Sequence, residues 1–463
     1  MPFTRFGLVL RSFLQHRGLP FADVLSEETI QRQFDDAGVS FGQGEGDVYT
    51  PALTLWAFLS QVLFKGEQRS CVAAVARVIV LLVSLEQRPC ADDSGAYCRA
   101  RAKLPVAIIR RLAVQVAEGC EQQVPAEWLW KGRHHVYLAD GSTVSMPDTA
   151  ANQADYPQPA TQEPGLGFPI ARLVVLISLA TAMIHDMALG PYAGKETGET
   201  ALLRQLLERF QAGDILLADR YYCSYFMIAL LLERGIDFVV RLHQARTADF
   251  RRGRRLGPGD HLVDWQRPAK PEWMAQETYE RMPASIRVRE VEVHVDQPGF
   301  RVDSFVVVTT LTDADEYRRD DLAELYHQRW LAELDLRAIK STLGLDVLRC
   351  KTPEMVRREL WTGLLAYNLI RQTMLQAACS PRQLSFAAAL QKIAASWNTI
   401  LVCQDATVLL LIEVHLGDLA THQVGDRPDR VEPRAIKRRP KPQRLLMQPR
   451  AQARAALLAG AAE

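Results

Sequence analysis

A phenol, a guanidinium, a carboxylate and an ammonium, those of Tyr326, Arg329, Glu333 and Lys340, follow one another at intervals of three, four and seven residues. The stretch that carries them, LYHQRWLAELDLRAIK (residues 325–340), lacks Pro and Gly and spaces its apolar residues at three and four, which predicts a helix. On one helix these intervals place all four side chains along a single stripe. Such a set suits a phosphodiester: the acid can hold a divalent metal, the guanidinium can fork onto a phosphate, and the ammonium supplies a point charge. Taken one at a time, the same residues would also stand on an exposed helix face laced with ordinary ion pairs.

Further acids must converge on that stripe if it is to do chemistry, and two stand at strand ends. In HHVYLADGSTVSM (residues 134–146) the period is that of a strand, with Val136, Leu138 and Asp140 on one side and the turn formers Gly141 and Ser142 after them. An aspartate there sits where open sheets build their sites. In LLADRYY, Asp219 directly follows the short apolar strand 215–218, with Arg220, Tyr221 and Tyr222 beside it. Alone, either aspartate reads equally as an ordinary turn. Between them lie a Gln/Pro/Gly-rich loop (150–168), two strand-like runs within 172–189 that include His185 and Asp186, and a helix (199–210). After Asp219 come a helix (224–234) and a strand (238–242). The basic, glycine-containing loop 246–255 and the turn 257–259 open a long insertion, whose strands 286–295 and 301–310 alternate around a turn at 296–300.

Tyr, two residues, Arg, three residues, Glu, six residues, Lys is the signature of one branch of the bacterial DDE transposases, the insertion-sequence group of the IS-four type, and residues 326–340 resemble it without a departure in spacing. The resemblance implies that Glu333 is the third catalytic carboxylate and that Asp140 and Asp219 are the other two. The order of elements matches an RNase H-like core, in which the first and fourth strands lie side by side and the last helix packs against them. The fold class implied is α/β: an RNase H-like catalytic core with a β-rich insertion, preceded by a helical N-terminal domain. Two Mg²⁺ ions roughly 3.5–4 Å apart, for which Mn²⁺ can substitute, would be held by Asp140, Asp219 and Glu333 for in-line displacement at phosphorus. Arg329 and Lys340 would grip phosphates of the transposon end, Tyr326 would orient one, and Trp330 would pack or stack near the end. In the family the insertion contacts the transposon end and carries an aromatic residue that receives a flipped base; the matching position is Phe305 rather than Trp, and Phe305 reads equally as core. The implied activity is cutting at the ends of an insertion sequence and joining them to target DNA, with double-stranded DNA as partner and a homodimer in the synaptic complex.

Composition sets looser bounds. The 463 residues, 48% apolar, suffice for a full core and more than one domain. A net charge of +1 leaves any nucleic-acid surface to local patches. One such patch is the stretch 95–105 with Arg99, Arg101 and Lys103; another is the proline-rich tail beyond Asp426, crowded with Arg and Lys. The cysteines are scattered without a CxxC pair, as reduced thiols would be, and do not suggest a zinc site. The longest greasy segment, 72–85, contains Arg77 and is too short to span a bilayer, so it reads as a buried helix. No membrane or export signal is expected; the location implied is the bacterial cytoplasm, with nucleoid association when DNA-bound. The expected organisation is a helical DNA-end-binding domain over 1–130, the first part of the core over 131–245, the insertion over 246–312, the second part of the core with the Glu333 helix over 313–400, and a C-terminal helix and basic tail over 401–463. Two other readings stay open: a different nuclease on the same core, and a non-catalytic DNA-binding transposition inhibitor or host-adopted relic, which would keep the surfaces and lose a carboxylate.

Overall fold

The computed structural model describes residues 27–42, 44, 47–84, 87–294, 304–377, 380, 382–402, 405–424 and 447–460. The basic stretch 427–444, the turn expected at 296–300 and the N-terminal residues through 26 lie outside them. Among the described residues five α-helices precede the first strand: α1 Glu27–Asp36, α2 Pro51–Leu63, α3 Cys71–Ser84, α4 Gly95–Arg101 and α5 Val106–Glu121; of the later ones, α6 is Ala150–Asp155, α9 Gln276–Arg281 and α10 Arg319–His327. Thr50 starts α2, its hydroxyl accepting from the Leu53 N–H (3.3 Å) with Pro51 as the first helical residue. The segment expected to be a buried helix is half-buried. Ala74, Val75, Val78, Leu81 and Leu82 of α3 face the core, while Val72, Val80 and Val83 stand exposed. Among the described residues no helix is long and apolar enough to cross a membrane.

A single nine-stranded mixed sheet follows, in the order β3-β2-β1-β4-β5-β9-β8-β7-β6. Its strands are β1 Val136–Ser145, β2 Ile170–Ser178, β3 Ile184–Pro191, β4 Ile215–Ala218, β5 Asp237–Arg241, β6 Arg254–Gly257, β7 Asp260–Gln266, β8 Ser285–His294 and β9 Ser304–Thr309. The first and fourth strands are parallel neighbours, and β4 continues in parallel to β5. The short loops and the helices α7 Glu199–Arg204 and α8 Tyr225–Leu232 make these crossovers. A helix expected to run on to residue 210 stops at Arg204 and closes with a 3₁₀ turn, Leu207–Arg209.

Alternation along the strands divides the core in two. Val136 and Leu138 of β1, Ile215 and Leu217 of β4 and Val239 of β5 join the cluster formed with the N-terminal helices and the long helix α12 (Pro353–Gln376). Tyr137, Ala139, Leu216, Ala218, Phe238 and Val240 face the other way, onto α7 and α8. The insertion does not stand apart from this sheet. Strand β9 pairs antiparallel with β5 through Val239↔Thr309, Val240↔Val308 and Arg241↔Val307, and β8, β7 and β6 extend outward from it. The loop expected over 246–255 stands through residue 253, and its last two residues open β6, which the expected turn at 257–259 joins to β7; β6 is an edge strand whose arginines are exposed, so it lacks the alternation that betrays a half-buried strand. A buried ion pair, Arg289 Nη2 to Asp260 Oδ2 at 2.6 Å, ties β7 to β8, and Arg289 also donates to the Tyr317 carbonyl (2.6 Å) just ahead of the Glu333 helices. Helices α13 Phe386–Val402, α14 Asp405–Thr421 and α15 Arg450–Gly460 complete the described chain.

Candidate active site

Strand register puts two carboxylates side by side. The last parallel rung of β1 and β4 pairs Ala139 with Ala218, so Asp140 and Asp219 occupy the next position on each strand. By alternation both belong to the face of Leu138 and Leu217, the face on which the Glu333 segment packs through Ala332, Leu336 and Ile339. Backbone amides hold them: Gly141 N–H donates to Asp140 Oδ1 (2.8 Å), and Tyr221 N–H to Asp219 Oδ1 (2.8 Å), which caps the 3₁₀ turn Arg220–Tyr222. The place is the junction of β1 and β4, where the strand order reverses, just past the carboxyl end of β4; Asp140, expected at a strand end with a turn after it, lies inside β1, which runs on through Gly141 and Ser142 to Ser145 against β2.

The helix expected over 325–340 is not continuous. Helix α10 ends at His327, a tight turn with i+3 bonds (Arg329 N–H to Tyr326 O, 3.1 Å; Ala332 N–H to Arg329 O, 3.1 Å) leads into α11 (Trp330–Arg337), and Ala338–Thr342 opens into a π-helical turn. Overwinding and then underwinding change the phase of the four signature residues. Tyr326 turns inward, 8% exposed, and packs at a tilt of 50° against Phe305 with ring centres 5.2 Å apart; the Arg241 guanidinium lies 5.3 Å from the centre of the Phe305 ring. Arg329 reaches along α11 to Glu333, Nη2 to Oε1 at 2.9 Å. The π turn carries Lys340 across to β1, where its ammonium donates to Ser142 Oγ (2.9 Å), two residues beyond Asp140. Trp330 stands 49% exposed.

Electrostatics tie these groups together. Burial, together with the Asp219 and Glu199 carboxylates, pushes Asp140 up to about 6, against the opposing pull of the Gly141 amide and Arg329. Asp219 is raised as well, first by burial and finally by Glu333, with Arg329 and Arg220 resisting. Burial alone would lower Arg329, yet Tyr326, Glu333 and Asp140 hold it above its usual value. Tyr326 is pushed up to about 12 by burial. One guanidinium therefore serves three acids. Glu333 is paired with it, and among the described residues no three His, Cys, Asp or Glu side chains close around one point as metal ligands do.

Glu199, at the first turn of α7, is a fourth acid that sequence reading misses. Its side chain fills the space above Gly141: a Cβ there would meet Glu199 Cδ at 2.3 Å. Burial and Asp219 raise it, and the Tyr222 hydroxyl lies 3.4 Å from Oε2. Nothing in TGETALL marks it, since an acid in the first turn of a helix is common for reasons of capping and dipole. Beside the site, a cavity of about 400 Å³ is lined by Tyr221, Phe226, Trp273, Arg204, His243 and Arg246 among others.

The sequence profile described as "Transposase DDE domain" matches residues 131–369, more than half of the chain. The chain belongs to the DDE transposase family. The transposase is 28% identical over 404 residues to the transposase InsG for insertion sequence element IS4 of Escherichia coli (strain K12), a match covering 84% of this chain and 85% of that one. Over a shorter stretch of 65 residues, 14% of this chain and 18% of the other, it is 40% identical to the putative transposase InsL for insertion sequence element IS186A of the same strain. Among solved structures it is similar to the piggyBac transposase in a synaptic complex with hairpin DNA, at 9% identity and a TM-score of 0.42, covering 89% of this chain and 85% of that one. The expected family of the transposase and its activity as a DDE transposase, an enzyme of the nuclease type, stand on the profile and on the full-length relative.

Proposed function

We propose that this transposase cuts DNA at the ends of an insertion sequence and joins the freed ends to target DNA, with Asp140, Asp219 and Glu333 as the acids of one site. The observation that carries the reading is the register: two half-buried carboxylates one position past the last parallel rung of β1 and β4, on the face against which the helix bearing Glu333 packs. The order β3-β2-β1-β4-β5 supports an RNase H-like core, extended by a β-rich insertion and preceded by a helical domain.

The donor set fits a hard divalent cation. It consists of carboxylate oxygens, and Asp140, raised to about 6 chiefly by burial, is pushed further by the neighbouring Asp219 and Glu199 charges, which a bound cation would offset. Asp140, Asp219 and Glu333 would hold Mg²⁺, two ions in our reading, with Mn²⁺ as substitute. Bound there, the ions would make water acidic enough to attack and would neutralise charge on the leaving oxygen.

The chain's own residues do the rest. Arg329 and Lys340 bind phosphates flanking the scissile bond, and Arg329 exchanges Glu333 for a phosphate when it does so. Tyr326, braced on Phe305, orients one phosphate. Trp330, half exposed, stacks against the DNA end, and Phe305 receives an extruded base. The N-terminal helices bind transposon ends through Arg88, Arg99 and Lys103, which line one cavity of about 720 Å³. The basic tail adds backbone contacts, two copies pair the two element ends, and the protein works at the bacterial nucleoid.

The test is cleavage of labelled duplex carrying the element's own ends, in Mg²⁺, with wild type and Glu333→Gln. Metal-dependent nicking that disappears in the variant while end binding persists is expected. End-specific binding without cleavage by either protein, in Mg²⁺ or Mn²⁺, would overturn the catalytic reading in favour of a DNA-binding relic.

A further inference from the structure

The helix that bears Glu333 buries a charge on its far side. Asp335 is two residues on, about 200° around the helix axis, and is 1% exposed. It belongs to the buried stripe Ala332, Asp335, Leu336 and Ile339, otherwise apolar. Its oxygens are divided between two arginines: Oδ1 accepts from Arg371 Nη2 (2.8 Å) and Oδ2 from Arg382 Nη1 (2.5 Å). Tyr367, whose hydroxyl accepts from Arg371 Nε (3.0 Å) and lies 2.9 Å from the Ala182 carbonyl, is 3.2 Å from Oδ1.

The second arginine carries the contact into the sheet. Arg382 Nη2 donates to the Ser178 carbonyl (2.8 Å) and Nε to the Leu179 carbonyl (3.0 Å). Ser178 ends β2, opposite Tyr137 of β1, and Leu179 N–H donates to the Val136 carbonyl (2.8 Å) at the start of β1. Asp335 is therefore joined by hydrogen bonds, through the Arg382 side chain, to the strand that carries Asp140.

An apolar residue would fill this position at less desolvation cost, and replacement of buried ion pairs by packed apolar groups is often neutral for stability. What apolar packing does not supply is direction: a stripe of Ala, Leu and Ile lets a helix rotate or slide, whereas a carboxylate forked between two guanidinia fixes its angle. The front of α11 needs such fixing, because it is short, entered through a tight turn and left through a π turn. We propose that Asp335, with Arg371 and Arg382, is a positioning residue that sets the rotation of α11 and so aims Glu333 at Asp140 and Asp219. The inference rests on the reading of Glu333 as a catalytic acid.

The experiment compares wild type, Asp335→Asn and Arg382→Gln in the full-length protein, with Glu333→Gln as control. Thermal unfolding is followed in a temperature scan, and affinity for an end duplex, single-turnover nicking at saturating DNA, and Mn²⁺ binding followed by electron paramagnetic resonance are measured at 25 °C. Supporting-shell substitutions of this kind cost about 10- to 100-fold in metal affinity or activity. We expect both variants to lose about that much in saturated rate and Mn²⁺ affinity, with end affinity within about threefold of wild type. Arg382→Gln, at the more exposed arm of the cluster, keeps the test decisive if Asp335→Asn does not fold. Lowered unfolding temperature with an unchanged saturated rate and unchanged Mn²⁺ affinity would overturn the proposal and leave Asp335 a stabilising residue. Full nicking by Glu333→Gln would instead overturn the site on which it rests.

Discussion

Arg329 is the one guanidinium shared by Asp140, Asp219 and Glu333, and replacing it by Met, similar in length and uncharged, separates its two duties. The first is to occupy Glu333. An i,i+4 pair whose side chains are 21% and 39% exposed is worth about 0.2–1 kcal/mol. The second is to place a positive charge beside Asp140 and Asp219; two unit charges about 5 Å apart at an effective dielectric of about 60 interact by roughly 1 kcal/mol. Together these oppose a cation by roughly 1–2 kcal/mol, so Arg329→Met binds Mn²⁺ about 5- to 30-fold more tightly than wild type without DNA. Nicking moves the other way, down about 10²- to 10³-fold, as befits loss of a charged donor at the reacting phosphate, and the salt dependence of end binding falls by about one phosphate's worth. Calorimetric Mn²⁺ titration without DNA, beside single-turnover nicking, reads both. Unchanged or weaker Mn²⁺ affinity in Arg329→Met would refute the claim that this residue keeps Glu333 from the other acids.

Two further outcomes follow from the geometry. Gly141→Ala puts a methyl 2.3 Å from Glu199 Cδ, so the acid must swing away; we expect a loss of about 1–3 kcal/mol in urea unfolding and about tenfold slower nicking, and wild-type behaviour in both would show Glu199 to be free to move at no cost. Glu121→Gln breaks a half-buried pair at the opposite end of β1, where the buried Glu121 accepts from Nδ1 of the partly exposed His135 (2.8 Å). Burial opposes the ionised form of Glu121, but His135 and His185 outweigh it and hold the carboxyl well below its usual range, so its contribution is present above roughly pH 4.3 and lost below. His135 is raised, chiefly by its bond to Glu121, so its share is present below roughly pH 6.5 and fades as pH rises through its elevated value. The variant is thus expected to be roughly 2–3 kcal/mol less stable, with the gap widest near pH 5.5 and narrower at pH 4 and pH 8; a gap that grows steadily toward pH 8 would contradict this assignment.

Asp219 was legible because it ends the apolar strand β4, whereas Asp140, read as ending one, lies inside β1: Gly141 and Ser142 look like turn formers in the sequence, and only their pairing with Val174 and Leu173 of β2 shows the strand running on. The signature helix was legible in its residues and not in its path. Its tight turn at Arg329 and its π turn at Lys340 accompany bonds to Glu333 and Ser142, and the second partner is 198 positions away. Strand β6 hid behind Arg254 and Arg255, since an edge strand facing water shows no apolar alternation. Asp335 hid for the opposite reason: in a charged helix it looks solvated, and only Arg371 and Arg382, 36 and 47 residues downstream, make it a buried group.

The three rungs between β5 and β9 give the outer hairpins a mechanical role. A segment hung on flexible linkers would swing over bound DNA without disturbing the acids. Here the outer strands are planks of one plate, and β5 is the direct neighbour of the strand that ends in Asp219. Under the proposed function, a duplex pressing on the exposed arginines of β6 would be felt at Asp140 and Asp219 as sheet twist, so that shaping the DNA and aligning the carboxylates would be one deformation.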